Sequence, residues 1–169
     1  SFLLVIVVGT TLLCLPVSSA NGAFTPPVNA MFTATSATCV TGLIVYDTFT
    51  QWSIFGQAVI LLLIQIGGLG FLLFVSMFSV FLKKKIGAYE RRLLMQAQGN
   101  LKLGGSVLLL TRIVKGTFLF EGIGALILAL RFCPKMGLGQ GLFCAVFHSV
   151  SAFCNAGFDI MGRYKPFSS

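Results

Sequence analysis

Acidic side chains are scarce in this sequence, and basic side chains are absent from its first 82 residues. Only four Asp or Glu residues occur among 169, and charged residues make up 9% of the chain against 56% apolar residues. A soluble domain of this size needs far more polar surface. The composition therefore argues against a soluble protein and predicts an integral membrane chain, all α-helical in class.

Other absences narrow the function. The net charge is +8, but no basic face exists outside one loop, so we expect no nucleic-acid partner. The five cysteines form no C-x-x-C pair and have no nearby His, which argues against a zinc site. No cluster of His, Cys, Asp and Glu and no nucleophile–base pair falls at membrane depth, which argues against a membrane enzyme.

The chain opens inside an apolar run, without Met and without a basic leader. Phe2 to Leu15 precedes Pro16 and would rise only about 21 Å as a helix, less than a full span. A signal peptide is one interpretation, since the small residues 18–20 follow. The missing leader favours a spanning helix cut at its start, so we expect a fragment.

A hydroxyl-rich, uncharged stretch occurs twice. Residues 32–43 return as residues 147–158, at an offset of 115, with Phe, Ser, Ala, Cys and Gly in common. The same offset pairs Gly9 with Gly124, Leu13 with Leu128, Leu15 with Leu130 and Ala30 with Ala145. Matches in separate regions at one offset indicate an internal repeat.

Each copy of the stretch includes a segment of about half the span length. Pro26-Pro27 opens the first, which runs to Ala37 and would rise roughly 16 Å. The second runs from Gly139 to Phe153. Both predict re-entrant half-helices followed by non-helical backbone, which survives at that depth only when protein buries it or it lines a watery cavity.

A long uncharged segment follows the first copy. Thr48 to Leu82 contains 35 residues without charge and would rise about 50 Å as a helix, so its ends protrude or it tilts. Trp52 suits the outer membrane interface. The mid-span glycines Gly67, Gly68 and Gly70 suit either close helix packing or a hinge.

The distribution of Lys and Arg predicts the orientation. Residues 83–102 carry six basic residues and one acidic residue, whereas residues 1–82 carry no basic residue. The positive-inside rule places residues 83–105 in the cytoplasm and residues 16–51 outside. Residues 88–98 are compatible with a short surface helix.

A further span is predicted from Gly104 to Leu130, followed by an outer turn from Arg131 to Lys135. Glu121 lies deep in this span and must face protein or water, or carry a proton. It could steady pore-lining groups or simply pair with a helix-end residue. The predicted organisation is a first repeat (1–82), a basic cytoplasmic loop (83–105) and a second repeat without its final helix (106–169).

Gly42 and Gly157 stand at equivalent places after the two half-helices, and neither loop contains an acidic residue. A dehydrated cation is well served by backbone carbonyls, and Gly tolerates the backbone conformations that orient them. The alternative is a pair of small-residue turns where helices pack. The predicted ion-selectivity filter contains Thr38, Cys39, Val40, Thr41, Gly42, Phe153, Cys154, Asn155, Ala156 and Gly157. With one Gly per loop, we expect a short filter.

Neighbouring side chains are assigned structural roles. His148 is interpreted as a packing or hydrogen-bonding residue, with gating as the alternative. The hydroxyls of Thr33, Thr35, Ser36 and Thr38 are expected to satisfy helix-end groups.

Three segments carry a family resemblance: residues 36–43, residues 64–71 (IQIGGLGF) and residues 151–159 (SAFCNAGFD). The sequence resembles the Trk/Ktr/HKT potassium transporters, most closely the Ktr membrane subunit. The resemblance implies four helix–pore-loop–helix repeats around one axis, of which this chain holds about one and a half. It also implies plasma-membrane potassium uptake of a bacterial type, with potassium on the carbonyls of residues 39–42 and 154–157.

The same resemblance implies contact with membrane lipid, a homodimer, a cytosolic nucleotide-binding regulatory ring and a link to sodium, but no organic cofactor in this chain. Ser in place of Gly42 goes with sodium transport in HKT relatives, so glycine in both loops favours potassium. A non-conducting structural or assembly subunit of a membrane complex remains the alternative.

Overall fold

The computed structural model describes residues 2–70 and 103–162, and these residues are predominantly helical. The α-helices are α1 (Phe2–Cys14), α2 (Pro27–Thr38), α3 (Thr48–Gln51), α4 (Ile54–Leu69), α5 (Leu103–Met136) and α6 (Leu138–Phe153). A short 3-10 helix, Pro16–Ser18, follows α1. Within these ranges the only β-type pairing is an isolated antiparallel bridge between Ser19 and Trp52. The predicted cytoplasmic loop residues 83–102, with the surface helix at 88–98, lie outside the described residues.

The described chain divides into two compact units. Residues 2–68 and 121–162 form the first unit, which contains both predicted loops. Residues 103–120 belong to the second unit. The helix α5 runs through both, and its residues from Glu121 onward belong to the first.

The half-helices begin and end close to the predicted residues. Pro27 occupies the first turn of α2, where its missing N–H leaves no bond unmade, and the helix ends at Thr38, one residue later than predicted. The helix α6 begins at Leu138, after Gly137 with φ 85°, and ends at Phe153 as predicted. Their lengths of 12 and 16 residues correspond to roughly 18 and 24 Å, short of a bilayer crossing.

The prediction of one continuous helix from Thr48 was wrong. The chain leaves the helical conformation at Trp52 and Ser53, between α3 and α4, and α4 ends at Leu69. Ser53 bonds instead to the segment after α1: its N–H donates to Ser18 O (2.9 Å) and its hydroxyl to Val17 O (2.6 Å). These tertiary bonds replace helical ones. Residues 71–82 of the predicted span lie outside the described residues.

Trp52 corrects a second expectation. Its side chain is 2% exposed, so it belongs to the protein core and not to the membrane interface. Its backbone pairs with Ser19, which fixes the start of α4 against the end of α1.

The helix α5 extends further than predicted. Residues 112–136 are long and apolar enough to cross a membrane. The predicted outer turn at Arg131–Lys135 is helical instead, and the helix continues to Met136 with Pro134 inside it. Proline removes one N–H, but so near a helix end the loss affects only the last turn. Large side chains near this end are exposed, among them Leu126 at 68% and Leu130 at 80%, which suits a lipid environment.

Two glycines bring the outer helices against the half-helices. A Cβ added to Gly9 in α1 would meet the Leu63 side chain of α4 at 2.8 Å and would lie in ordinary contact, at 3.4 Å, with the Ala34 Cβ in α2. A Cβ added to Gly124 in α5 would lie 2.5 Å from the Ser149 Oγ in α6. Gly9 and Ala34 correspond to Gly124 and Ser149 at the offset of 115. Each half-helix is therefore held at the same point by a glycine of the preceding helix.

Candidate functional site

The first loop, residues 39–42, begins with a hydrogen-bonded end to α2. The N–H of Val40 donates to Ala37 O (3.3 Å), and the N–H of Thr41 donates to Ser36 O (3.0 Å). This pair of bonds is the Schellman motif, which requires a left-handed residue directly after the helix cap. Val40 is that residue, with φ 56°.

The second loop, residues 154–157, ends α6 in the same way. The N–H of Asn155 donates to Ala152 O (3.0 Å), and the N–H of Ala156 donates to Ser151 O (2.7 Å). Asn155 has φ 57°. The bonding pattern and the left-handed residue therefore recur 115 residues apart.

Each loop has a second residue with a positive φ, and this residue is its glycine. Gly42 has φ 75° and Gly157 has φ 73°. This region is open to glycine at no steric cost and disfavoured for other residues. In each loop, two residues with left-handed backbone conformation, separated by one residue, turn the backbone sharply and in the same way.

The direction of each loop carbonyl follows from the hydrogen bond that the next residue's N–H makes. In a trans peptide, the C=O of one residue points opposite to the N–H of the next, and no cis peptide occurs in the described chain. The N–H groups of residues 39–41 all point back into α2, because Cys39 N also donates to Thr35 O (2.8 Å). The carbonyls of residues 38–40 therefore project away from the helix end, and those of residues 153–155 do so after α6.

These projecting oxygens have no hydrogen-bond donor. Within residues 2–70 and 103–162, no N–H or O–H group donates to a carbonyl of residues 38–42 or 153–157. The last carbonyls of a helix have no partner within the helix, and Cys39, Thr41, Asn155 and Gly157 are exposed, so these oxygens are open to another ligand. Chemically, such a set of oxygens suits a hard cation.

The two loops meet at their glycines. A Cβ added to Gly42 would lie 2.7 Å from the Ala156 carbonyl oxygen and 3.4 Å from the Gly157 Cα. A Cβ added to Gly157 would lie 3.5 Å from the Gly42 Cα. The structure therefore brings Gly42 of the first loop against Ala156 and Gly157 of the second, with glycine on each side of the contact.

Two buried serines brace the loops from equivalent positions. Ser36 Oγ lies 3.0 Å from the Thr41 hydroxyl, and Ser151 Oγ donates to Phe158 O (2.8 Å). The other hydroxyls of α2 bond to carbonyls inside the helix and not to its end groups, so the predicted helix-end role is wrong for them. They are Thr33 to Asn29 O (3.0 Å), Thr35 to Met31 O (2.7 Å) and Thr38 to Ala34 O (2.7 Å).

The glycines of α4 pack against the starts of both loops. A Cβ added to Gly67 would collide with the Thr38 carbonyl oxygen, and one added to Gly68 would collide with the Cys154 Sγ. Close packing is therefore the role of these two residues. Gly70, with φ 77° and open space around its Cα, follows the last residue of α4.

Glu121 faces protein. It is 5% exposed, and the Gln65 amide nitrogen donates to both carboxylate oxygens, at 3.0 and 3.1 Å. The hydroxyl of Ser149 donates to the Glu121 backbone oxygen (2.6 Å). Of the two alternatives for Glu121, pairing with a helix-end residue is wrong, because Gln65 lies four residues before the end of α4.

His148 packs and hydrogen-bonds. Its ring lies edge-on to Phe132 and Phe147, with centroids 5.7 and 6.0 Å away. Its Nδ1 lies 2.8 Å from Cys144 O, so Nδ1 carries the hydrogen and donates. Thr33, its equivalent in α2, also bonds to the carbonyl four residues earlier.

Sequence reasoning missed Gln65 and Ser149 as supports of the second loop. The signal for Gln65 was an amide in the apolar run of residues 54–69, which otherwise has only one polar side chain, that of Gln57. A buried amide requires a partner, and Glu121 was the available one. The signal for Ser149 was that the second repeat has a hydroxyl at this position, where the first repeat has the apolar Ala34. Among the described residues, no cluster of His, Cys, Asp and Glu could hold a metal ion.

An all-helical chain with an apolar exterior, a helix of span length and two half-helices ending in backbone loops has the architecture of an integral membrane protein. Its residues 1–163 match the family model of TrkH, described as a cation transport protein. The chain belongs to this family, which confirms the resemblance and places the chain in the plasma membrane.

Three curated bacterial relatives are similar over nearly the whole chain. The Ktr system potassium uptake protein B of Bacillus subtilis is 48% identical over 166 residues, covering 94% of this chain and 35% of the relative. The potassium/sodium uptake protein NtpJ of Enterococcus hirae is 42% identical over 161 residues, covering 95% and 36%. The Ktr system potassium uptake protein B of Vibrio alginolyticus is 38% identical over 160 residues, covering 95% and 35%. The chain therefore spans about a third of the length of these relatives.

Proposed function

We propose that the two loops are two strands of the selectivity filter of a potassium uptake protein. The observation that carries this proposal is the projection of donor-free carbonyls from two equivalent helix ends that meet at Gly42 and Gly157. The complete filter needs strands from the rest of a longer protein. This chain supplies residues 38–42 and 153–157.

The chemistry follows from the backbone. A potassium ion entering the filter loses water, and carbonyl oxygens that already point toward it replace that water with little rearrangement. Each half-helix directs its C-terminal end at the same place, and that end carries about half a negative charge. Neither loop has a carboxylate, so geometry and dipoles govern the preference among cations.

Several finer features rest on the family and on the relatives' names. Potassium is the proposed ion, since two of the three relatives are potassium uptake proteins and both loops carry Gly. A link to sodium is consistent with the potassium/sodium uptake protein among them. A homodimer on a cytosolic nucleotide-binding ring, and transport without enzymatic activity, follow from the family resemblance.

Ion flux through the full-length protein tests the proposal. The purified protein is reconstituted alone into proteoliposomes, and entry of potassium, sodium or a larger cation is measured with the radioactive isotope of each, with empty liposomes as the control. We expect potassium entry that sodium and larger cations reproduce poorly. A correctly folded, full-length protein that moves no cation would instead identify a non-conducting assembly subunit.

A further inference from the structure

Glu121 joins three helices at one buried point. Its carboxylate in α5 receives both hydrogen bonds from Gln65 in α4, and its backbone oxygen receives the hydroxyl of Ser149 in α6. Both oxygens of the carboxylate accept from one amide nitrogen, so the acid faces the end of the Gln65 side chain. Because both side chains are buried, losing one partner leaves the other unpaired at high cost.

The joined point lies next to the second loop. Gln65 precedes Gly68 by three residues in α4, so both lie on the same face of that helix. Gly68 contacts Cys154, the first residue of the second loop, so closely that no Cβ fits between them. Ser149 lies on α6, five residues before Cys154. The carboxylate is thus connected to the second loop through α4 and through α6.

The first loop has no equivalent support. The offset of 115 pairs Glu121 with Ile6 and Ser149 with Ala34, both of which are apolar. The first half-helix is held at this point by packing, and the second by packing together with hydrogen bonds. The polar pair is therefore a feature of one repeat and not a general requirement of the fold.

We propose that Gln65 and Glu121 act together as a positioning pair that sets the place of the second loop and thereby the preference for potassium over sodium. This proposal rests on the proposed function, because it concerns the same filter. The pair does not touch the ion. It fixes the position of Gly68 against Cys154. The distance between the carbonyls after α6 and those after α2 therefore stays constant.

The sharpest test is to exchange the amide of residue 65 and the carboxylate of residue 121, because the exchanged side chains can form the same hydrogen bonds. The full-length protein is expressed in cells without their own potassium uptake, and uptake of potassium and of sodium is measured at equal membrane amounts. Gln65→Leu and Glu121→Leu are each expected to lower the potassium-to-sodium ratio about tenfold, equivalent to about 1.4 kcal/mol. The double variant Gln65→Glu/Glu121→Gln rebuilds the pair and is expected to keep the parent ratio.

Gln57 provides the matched control. It is a second buried glutamine of α4, and its amide nitrogen donates to Trp52 O (3.0 Å), away from both loops. Gln57→Leu is expected to lower stability and leave the ion ratio unchanged. If the leucine variants do not accumulate, Gln65→Asn, which is one methylene too short to reach Glu121, is compared with Gln57→Asn in the same way.

Two results would overturn the positioning role. One is a potassium-to-sodium uptake ratio in the single variants at position 65 or 121 that equals the ratio of the parent protein. The other is an exchange variant as impaired as the single variants, which would show that each group acts alone. Failure of the proposed function is distinguishable, since in that case the parent protein itself moves neither ion. A selective parent with equally selective variants refutes the positioning pair only.

Discussion

Val40 and Asn155 share one backbone conformation, with φ 56° and 57°, directly after the two half-helices. The left-handed region costs a non-glycine residue about 1–2 kcal/mol, and Asn bears it better than other residues because its side chain bonds locally. A β-branched residue there is unusual. The same geometry therefore stores more strain in the first loop than in the second.

Replacing Val40 with Gly should relieve that strain. Glycine also gains freedom in the unfolded chain, which offsets roughly 0.5–1 kcal/mol. We expect Val40→Gly to raise stability by up to about 1 kcal/mol, and Asn155→Gly to raise it less or not at all. Thermal unfolding of the full-length protein in detergent measures both. A larger gain for Asn155→Gly would contradict the strain assignment.

Gly42→Ser should lower the preference for potassium over sodium. The new Cβ would meet the Ala156 carbonyl oxygen at 2.7 Å, so one of the two loops must move. A shift of about 1.4 kcal/mol between bound potassium and bound sodium is tenfold in selectivity, and we expect a loss of about that size. Uptake of each ion, at equal expression in cells without their own potassium uptake, is the measurement.

Gly22→Ser is the control for Gly42→Ser, because it introduces the same backbone strain without a contact to the second loop. Gly22 also has a positive φ, of 66°, but nothing lies within 4 Å of an added Cβ. The substitution should cost similar stability and leave the ion ratio at the parent value. If Gly42→Ser keeps that ratio too, Gly42 is a packing glycine and the filter lies elsewhere.

Gly67→Ala should destabilise the protein, because its Cβ would collide with the Thr38 carbonyl oxygen at the end of α2. Overpacking of this kind costs about 1–3 kcal/mol. Gly122→Ala in α5 is the control: no atom of the described residues lies within 4 Å of its Cβ, and alanine favours a helix by up to about 1 kcal/mol. Thermal unfolding compares the two, and equal stability of both variants would refute the close contact.

The predicted orientation is tested by labelling from outside intact cells. Asn21→Cys should react with a membrane-impermeant maleimide, and Lys84→Cys should not, because the basic segment is predicted to be cytoplasmic. The parent protein provides the background, since Cys14, Cys39, Cys133, Cys144 and Cys154 are all free thiols. The reverse labelling pattern would invert the topology.

The half-helices were predictable because local signals agreed with the repeat. Pro26-Pro27 marks the start of α2, and the matching loop sequences mark both ends. The break at Trp52 and Ser53 has only one local signal, Ser53, whose hydroxyl accepts from the N–H of Gly56 (3.3 Å) at the start of α4; no Gly, Pro or charge marks it. It depends on bonds from Ser53 to Val17 and Ser18, which only the fold brings near.

The candidate site was predictable in its residues but not in its conformation. Gly42 and Gly157 could be paired from the sequence alone. Propensity would never assign a left-handed conformation to Val40, since tertiary packing has to hold it there. Glu121 illustrates the same limit: its depth predicted a partner, but the three-helix arrangement was needed to identify Gln65.

The hydrogen bonds at the two helix ends also have a mechanical consequence. The amides of residues 39–41 are bonded to the last turn of α2, and those of residues 154–156 to the last turn of α6. The carbonyls of residues 38–40 and 153–155 can turn only if those bonds break, so their orientation is tied to the ends of the two half-helices. Gly9 in α1 and Gly124 in α5 contact these half-helices, so a shift of α1 or α5 would be transmitted to the oxygens through α2 or α6.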